Sequence, residues 1–282
     1  MVKETIGAII QVRLGSERLP QKALLPLPFS GGPTLLEHVV SRAKMSYHLH
    51  HIIVATTTAP ADDQIAEFCK KKGIVYYRGE EQDVLARFFA AASAYDLSTI
   101  VRLTGDNPCV SAEVIDYAIE HHLKTEAAYT RTEGLPLGTN VEAFSYKALQ
   151  QAHQLAKAPF EREHVTPFMY SAKSNRPIQL INMSDSVPTE LKHLRLTIDY
   201  PSDYAMISLL FEKVQADFTS FSIQTLKAIL QNWPWLAQIN ASNNQKKIYN
   251  SEQDELADAA RLLQQAGMDS SANYILLKNS RD

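Results

Sequence analysis

An α/β fold with a mostly parallel sheet, helices on both faces, is what this sequence predicts, and three observations carry it. Short apolar runs recur at residues 6–12, 52–55, 74–77 and 99–103. Between and after them lie segments of helical period, at 35–45, 62–71, 84–95 and 114–123. Polar clusters follow three of the runs, at 13–22, 56–58 and 104–108. Apolar runs without alternation suit strands buried on both faces, as in a parallel sheet covered by crossover helices. Ligands in such sheets bind beyond the carboxyl ends of the strands, where the polar clusters fall.

The elements follow in order. Asp62 and Ser111 stand where helix N-caps belong, and Gly73 where a helix ends. From about Ala128 the alternation loosens. Residues 134–144 read as a turn leading into a strand, 145–155 as a helix, and 160–171 as a further helix. Strands are expected at 178–182 and 194–198, and helices at 202–215 and 222–231. A polar, linker-like stretch covers 240–247. Apolar residues of helical period then run from Leu256 to Ala266, predicting a C-terminal helical extension over 251–277. We therefore expect one α/β domain over 1–240 and a helical appendage over 241–282.

Composition narrows the function. The chain has 282 residues and a formal net charge of −3, which argues against an extended nucleic-acid surface. No apolar run approaches the length of a membrane span, so no membrane partner is expected. Cys69 and Cys109 form neither a disulfide framework nor a metal-ligand spacing. No signal-peptide pattern precedes the first strand, so a cytoplasmic location is expected.

The first polar cluster is the richest in chemistry. Residues 9–22 read IIQVRLGSERLPQK. The strand breaks at Gly15 and brings Arg13, Ser16, Arg18 and Lys22 into one loop. Backbone N–H groups of such a loop can form an anion-binding nest, while Arg and Lys supply charge-assisted donors, so the segment suits a phosphate. A basic surface loop would show the same spacing. There is no Gly-Lys-Ser/Thr, hence no P-loop, and Gly31 and Gly32 stand too far from the strand for a dinucleotide fingerprint.

Three further motifs lie near strand ends. In VRLTGDNP, residues 101–108, Asp106 follows Gly105 directly after an apolar run, which projects a carboxylate from the sheet edge or simply makes a turn. In RLTIDYPSDY, residues 195–204, Asp199 closes an apolar run and Asp203 suits a cap for a helix entered at Pro201. In RGEEQDVLAR, residues 78–87, Asp83 can cap a helix and pair with Arg87 at i,i+4.

In this order the motifs resemble the sugar cytidylyltransferases, and within them the SpsF-type branch of spore-coat polysaccharide biosynthesis. The resemblance rests on Gln11, Arg13, Gly15, Ser16, Arg18, Leu19, Pro20 and Lys22, then on Asp83, Val84, Leu85 and Arg87, then on Gly105, Asp106 and Pro108, and on Asp199. A looser match covers 134–149 and 161–170. Val12 replaces an Ala of the pattern, Gln21 a Gly, and Asn140 an Asp. The match spans roughly residues 6–204.

The resemblance implies a Rossmann-like nucleotidyltransferase domain of the GT-A type. It implies that CTP and an acidic sugar, of the KDO or nonulosonic-acid kind, give a CMP-sugar and pyrophosphate. Asp106 and Asp199 would hold Mg²⁺. Arg13, Lys22 and Asp106 would be catalytic, and Gln11, Gly15, Ser16, Arg18, Thr56, Arg87, Thr104 and Gly105 would join Arg13 and Lys22 in binding the nucleotide. Glu142, Glu163 and His164 would meet the acceptor, with Glu161 on a solvated helix face. A homodimer is expected from the same source. A GT-A-type glycosyltransferase using a nucleotide-sugar donor is the alternative, though no Asp-x-Asp stands at a strand end; a non-catalytic nucleotide-binding homologue is another. His48, His50 and His51 read as a surface cluster, His121 and His122 as neighbours unable to share a metal, and Trp233 and Trp235 as a seal on the core edge.

Overall fold

The computed structural model describes residues 4–214, 221–243 and 252–279. Seven strands form one mixed sheet: β1 (Ile6–Gln11), β2 (His51–Thr57), β3 (Tyr76–Gly79), β4 (Thr99–Thr104), β5 (Tyr129–Glu133), β6 (Glu142–Ser145) and β7 (Ile178–Asn182). Their order is β3-β2-β1-β4-β6-β5-β7. The first four are parallel. β6 runs antiparallel to both its neighbours, and β5 pairs with β7 in parallel. All strands except β6 therefore point their carboxyl ends at one edge.

Eleven helices accompany the sheet among the described residues: α1 (Leu35–Lys44), α2 (Asp63–Lys72), α3 (Val84–Ala94), α4 (Ala112–Thr125), α5 (Tyr146–Leu155), α6 (Pro159–His164), α7 (Pro167–Tyr170), α8 (Pro201–Lys213), α9 (Ile223–Asn232), α10 (Glu252–Gln265) and α11 (Asp269–Asn279). Their ends follow local chemistry. Thr34 and Glu37 form a reciprocal capping box on α1, at 3.2 and 2.8 Å. Gly73 ends α2 in the left-handed conformation. Side chains alternate across the sheet, so each strand feeds two cores. Ala8, Ile10, Val54 and Val101 pack with Leu36, Ile119 and Ile207 on one face; Ile9, Ile53 and Ile100 pack with Phe88 and Leu149 on the other.

Several local expectations are corrected. Residues 194–198 do not form a strand; they make a bridge to Leu137 and send the Ile198 N–H to the Asp106 carbonyl at 2.9 Å. The stretch 160–171 divides into α6 and α7 at Val165, whose φ is 69°, with Pro167 opening the second helix. The loosened region holds a strand that the pattern concealed, β5, whose polar Thr and Arg residues read as loop. Asp62 and Ser111 do stand at the N-cap positions of α2 and α4, but neither makes a side-chain cap hydrogen bond there. Trp233 packs against the core, but Trp235 is exposed and Leu236 is buried in its place.

The chain divides into compact units at 1–242 and 243–282. In the second, α10 and α11 form a helical pair broken at Gly267, where a single extension was expected. Part of the linker-like stretch lies outside the described residues. No helix among the described residues is long and apolar enough to cross a membrane.

Candidate active site

The loop after β1 is pinned from below. Val12 N–H donates to Ala55 O at 3.1 Å, continuing the β1–β2 pairing past the strand end. Leu14 N–H donates to Asp62 Oδ1 at 2.8 Å, and Thr57 Oγ1 donates to the other carboxylate oxygen of Asp62. Asp62 is buried, so this carboxylate braces the loop against β2 rather than capping α2. Ser16 N–H turns back to Leu14 O at 2.8 Å. Arg13, Gly15 and Arg18 are exposed along the loop. Gln21 closes it with φ 54°, a left-handed position that favours glycine.

Lys22 opens the short 3₁₀ turn Lys22–Leu24 and aims inward. Its ammonium donates to Asp106 Oδ2 at 3.0 Å, to Asp199 Oδ1 at 2.9 Å and to Ile198 O at 2.7 Å. Burial would lower its pKa, but Asp106 and Asp199 outweigh that and hold it above the ordinary lysine value. Burial would likewise raise Asp199, and Lys22, Arg195 and Arg18 bring it below the ordinary aspartate value.

Each aspartate is oriented by its own segment. Thr104 Oγ1 donates to Asp106 Oδ1 at 2.6 Å. Gly105 N–H donates to Gln11 O at 2.8 Å, and a Cβ at Gly105 would lie 2.9 Å from Val12, so only glycine lets the β4 end approach the β1 end this closely. Asp199 is held by Arg195, whose guanidinium donates to Asp199 Oδ2 at 2.7 Å and to Asp203 Oδ1 at 2.9 Å. Asp203 is fully buried and its Oδ2 accepts from the N–H groups of Asp199 and Tyr200 at 3.0 and 2.9 Å. Asn240 donates to Asp203 Oδ1 and Arg195 O, both at 3.0 Å. Gly138, at φ 94°, lets the loop before β6 close against Leu196 and Thr197, where a Cβ would sit 2.8 Å from backbone. Arg18 lies over the Tyr200 ring and donates to its hydroxyl at 2.8 Å.

Across the sheet edge lies a second polar group. The β4–β6–β5 register sets Arg102, Glu142 and Arg131 in one row. Glu142 accepts from Arg102 and from Tyr129 Oη, both at 2.5 Å, and from Thr166 Oγ1 at 2.8 Å. Its burial raises its pKa, and Arg102 with the hydrogen bonds more than reverses that, so it stays ionised below the ordinary glutamate range. Arg131 pairs with Glu133. Gln11 sits between the two groups, its Oε1 3.5 Å from Arg102.

Other sequence-predicted residues fall elsewhere. Thr56 is fully buried in the sheet and its Oγ1 has no hydrogen-bond partner among the described residues. Arg87 is buried under the β3 end, donates to Glu80 O at 2.6 Å, and does not pair with Asp83. Asp83 caps α3 through Ala86 N–H and binds Arg162 at 2.6 Å. Glu161 is buried, not solvated; it accepts from the Lys157 and Ala158 N–H groups and pairs with Lys173. Glu163 is exposed on α6, and His164 is half-buried at its last position. His50 is exposed, as a surface position requires, and its ring also accepts from Ile6 N–H at 3.0 Å. Asp203 caps α8 as its position predicts; Arg195 and Asn240 are the supporting residues that the sequence reading missed, the first detectable only as an i,i+4 partner of Asp199 and the second not at all, since its partners lie 37 and 45 positions away.

The family model described as cytidylyltransferase matches residues 7–258. A spore coat polysaccharide biosynthesis protein, SpsF, of Bacillus subtilis is 33% identical over 73% of this chain and 85% of its own length. A 3-deoxy-manno-octulosonate cytidylyltransferase of Chlorobium chlorochromatii is 32% identical over 40% of this chain and 43% of its own. The solved structure of a cytidylyltransferase from Leptospira borgpetersenii superposes with a TM-score of 0.74 at 28% identity, covering 87% of this chain and all of that one.

Proposed function

The chain belongs to the cytidylyltransferase family, and from that premise we propose that it transfers CMP from CTP to a hydroxyl of an acidic sugar of the KDO or nonulosonic-acid kind, releasing pyrophosphate, in the synthesis of a surface polysaccharide. The observation that carries the reading is the meeting of Asp106, Asp199 and Lys22, with Arg18 3.7 Å from Asp199 and Arg13 exposed on the same loop. The sugar is supported by what two relatives are named for, spore-coat polysaccharide in one and 3-deoxy-manno-octulosonate in the other.

The residues divide the work by charge. Arg13, Arg18 and Lys22 hold the β and γ phosphates and stabilise the negative charge of the departing pyrophosphate. Ser16 and the N–H groups near Gly15 add directed donors. Gln11, Thr104 and Gly105 line the floor between the nucleotide and the acceptor. The sugar hydroxyl attacks the α-phosphorus; a bond from its oxygen forms as the bond to the β-phosphate oxygen breaks. Its proton goes to a base on the acceptor side, for which His164 is the candidate, with Glu142 and Glu163 alongside it.

Asp106 and Asp199 fit Mg²⁺. Each turns one oxygen to a common point, now marked by the Lys22 ammonium, while its other oxygen is tied to Thr104 or Arg195. Mg²⁺ takes one or two carboxylates and completes its shell with phosphate oxygens and water. Bound there, it would neutralise charge on the phosphate oxygens.

Pyrophosphate release tests the reading, with CTP, UTP, ATP or GTP offered against a panel of sugar acids, with and without Mg²⁺. Release is expected with CTP, Mg²⁺ and a sugar acid together. Stabilisation by a UDP- or GDP-sugar, with no pyrophosphate from any pair, would transfer the chain to the glycosyltransferases.

A further inference from the structure

Lys22 is given two tasks that one ammonium cannot perform at once. It has three N–H donors. All three are used inside the protein, on Asp106 Oδ2, Asp199 Oδ1 and Ile198 O, at 3.0, 2.9 and 2.7 Å. None remains for a phosphate. The oxygens it engages are also the ones a divalent cation needs, because Asp106 Oδ1 accepts from Thr104 and Asp199 Oδ2 from Arg195. The ammonium and the metal thus compete for one place.

We propose that Lys22 is a movable counter-ion: it fills the place between Asp106 and Asp199 in the nucleotide-free protein and moves onto the triphosphate when nucleotide and cation bind together. The inference rests on the reading of Asp106 and Asp199 as the metal ligands and goes beyond it, to the order in which the site is filled. The side chain is largely buried, its solvent exposure 13%. Displacing it with metal alone would leave an ammonium without counter-charge in a poorly hydrated place, which is costly. A triphosphate supplies the missing counter-charge a few ångströms away, within the swing of the flexible four-carbon stem. Metal and CTP therefore favour each other's binding, and linkage makes that coupling reciprocal. Arg195 keeps Asp199 in place throughout, since its own bonds to Asp203 do not involve Lys22.

The test counts bound Mn²⁺ by electron paramagnetic resonance, with no nucleotide present, in the wild-type protein and in Lys22→Met. The variant is expected to bind Mn²⁺ at least about tenfold more tightly, and adding Asp106→Asn to it is expected to abolish the gain. Lys22→Gln serves in its place if circular dichroism shows that Lys22→Met is misfolded. Equal Mn²⁺ affinity in wild type and a folded variant overturns the proposal. So does a gain that survives Asp106→Asn, because the metal would then sit elsewhere. The reading of the reaction is judged separately: CTP turnover with unchanged Mn²⁺ affinity sinks the counter-ion and keeps the cytidylyltransferase, and the reverse result does the opposite.

Discussion

At the β1–β4 end of the sheet edge, Lys22 and Arg18 reach Asp106 and Asp199, which two other segments deliver, and Arg13 stands exposed on the same loop. At the β6–β5 end, Glu142 is enclosed by Arg102, Tyr129 and Thr166, and Arg131 is matched by Glu133. The first group leaves Arg13 and Arg18 exposed and holds its central lysine on a flexible stem. The second has its central charge satisfied by fixed neighbours from adjacent strands and α7. Charges that a ligand must claim are placed on loops and long side chains; charges that shape a pocket are locked into the register of the sheet. Changes in the first group should therefore show in turnover, and changes in the second in stability.

The largest effect sharpens that division. Lys22→Ala is expected to lower CTP-dependent pyrophosphate release by about 10²-fold or more while leaving the circular dichroism spectrum intact. Asp106→Asn and Asp199→Asn should act in the same direction. Near-normal turnover in any of the three would break the comparison at its first term.

Glu142→Ala should do the reverse. It leaves the partly buried Arg102 without its ion-pair partner, which should cost about 1–3 kcal/mol, less than the loss of a fully buried pair. Urea unfolding reads this as a lowered midpoint. A variant of full stability but poor turnover would show that Glu142 meets the acceptor directly.

A pH dependence should also lie on the β5 side. His122 is buried against Thr130, 2.9 Å from its Oγ1, and burial lowers its pKa from the usual 6.5 to about 4. Between these values the unfolded chain takes up a proton that the folded one refuses, so stability falls as the pH is lowered from about 6.5 towards 4, by about 3 kcal/mol at most. His122→Gln is expected to flatten that slope in unfolding measured across this range; an unchanged slope would assign it to other groups.

The smallest effect concerns the phosphate-side loop. Gln21 adopts φ 54° at the position where the family pattern has glycine. Gln21→Gly should be close to neutral, because about 1 kcal/mol of relieved strain is offset by the freedom glycine regains in the unfolded chain. Gln21→Val should destabilise by about 1–2 kcal/mol, as thermal unfolding can show.

The four-stranded parallel half was legible because β1, β2 and β4 are largely apolar runs followed by polar clusters, and helical period separates one run from the next; β3 sits two residues beyond its expected run, at Tyr76–Gly79. The Arg13–Lys22 loop was legible for the same reason: its cations are neighbours in the chain. Asp106 and Asp199 could each be placed at the end of an apolar run, although the second run proved to be a bridge to Leu137 rather than a strand.

Other features depended on tertiary structure. β5 is a polar strand, Tyr-Thr-Arg-Thr-Glu, and β6, antiparallel between β4 and β5, brings Glu142 opposite both Arg102 and Arg131. No spacing along the chain encodes that register. Arg195, Asp203 and Asn240 became a support for Asp199 only when α8 and the chain near residue 240 closed over it. Sequence by itself determined which chemical groups were available and which strand ends would present them, since those follow from local pattern and alternation. Tertiary structure decided which oxygen of each aspartate faces the other and which cation fills the space between them, since those are set by contacts as far as 177 residues apart.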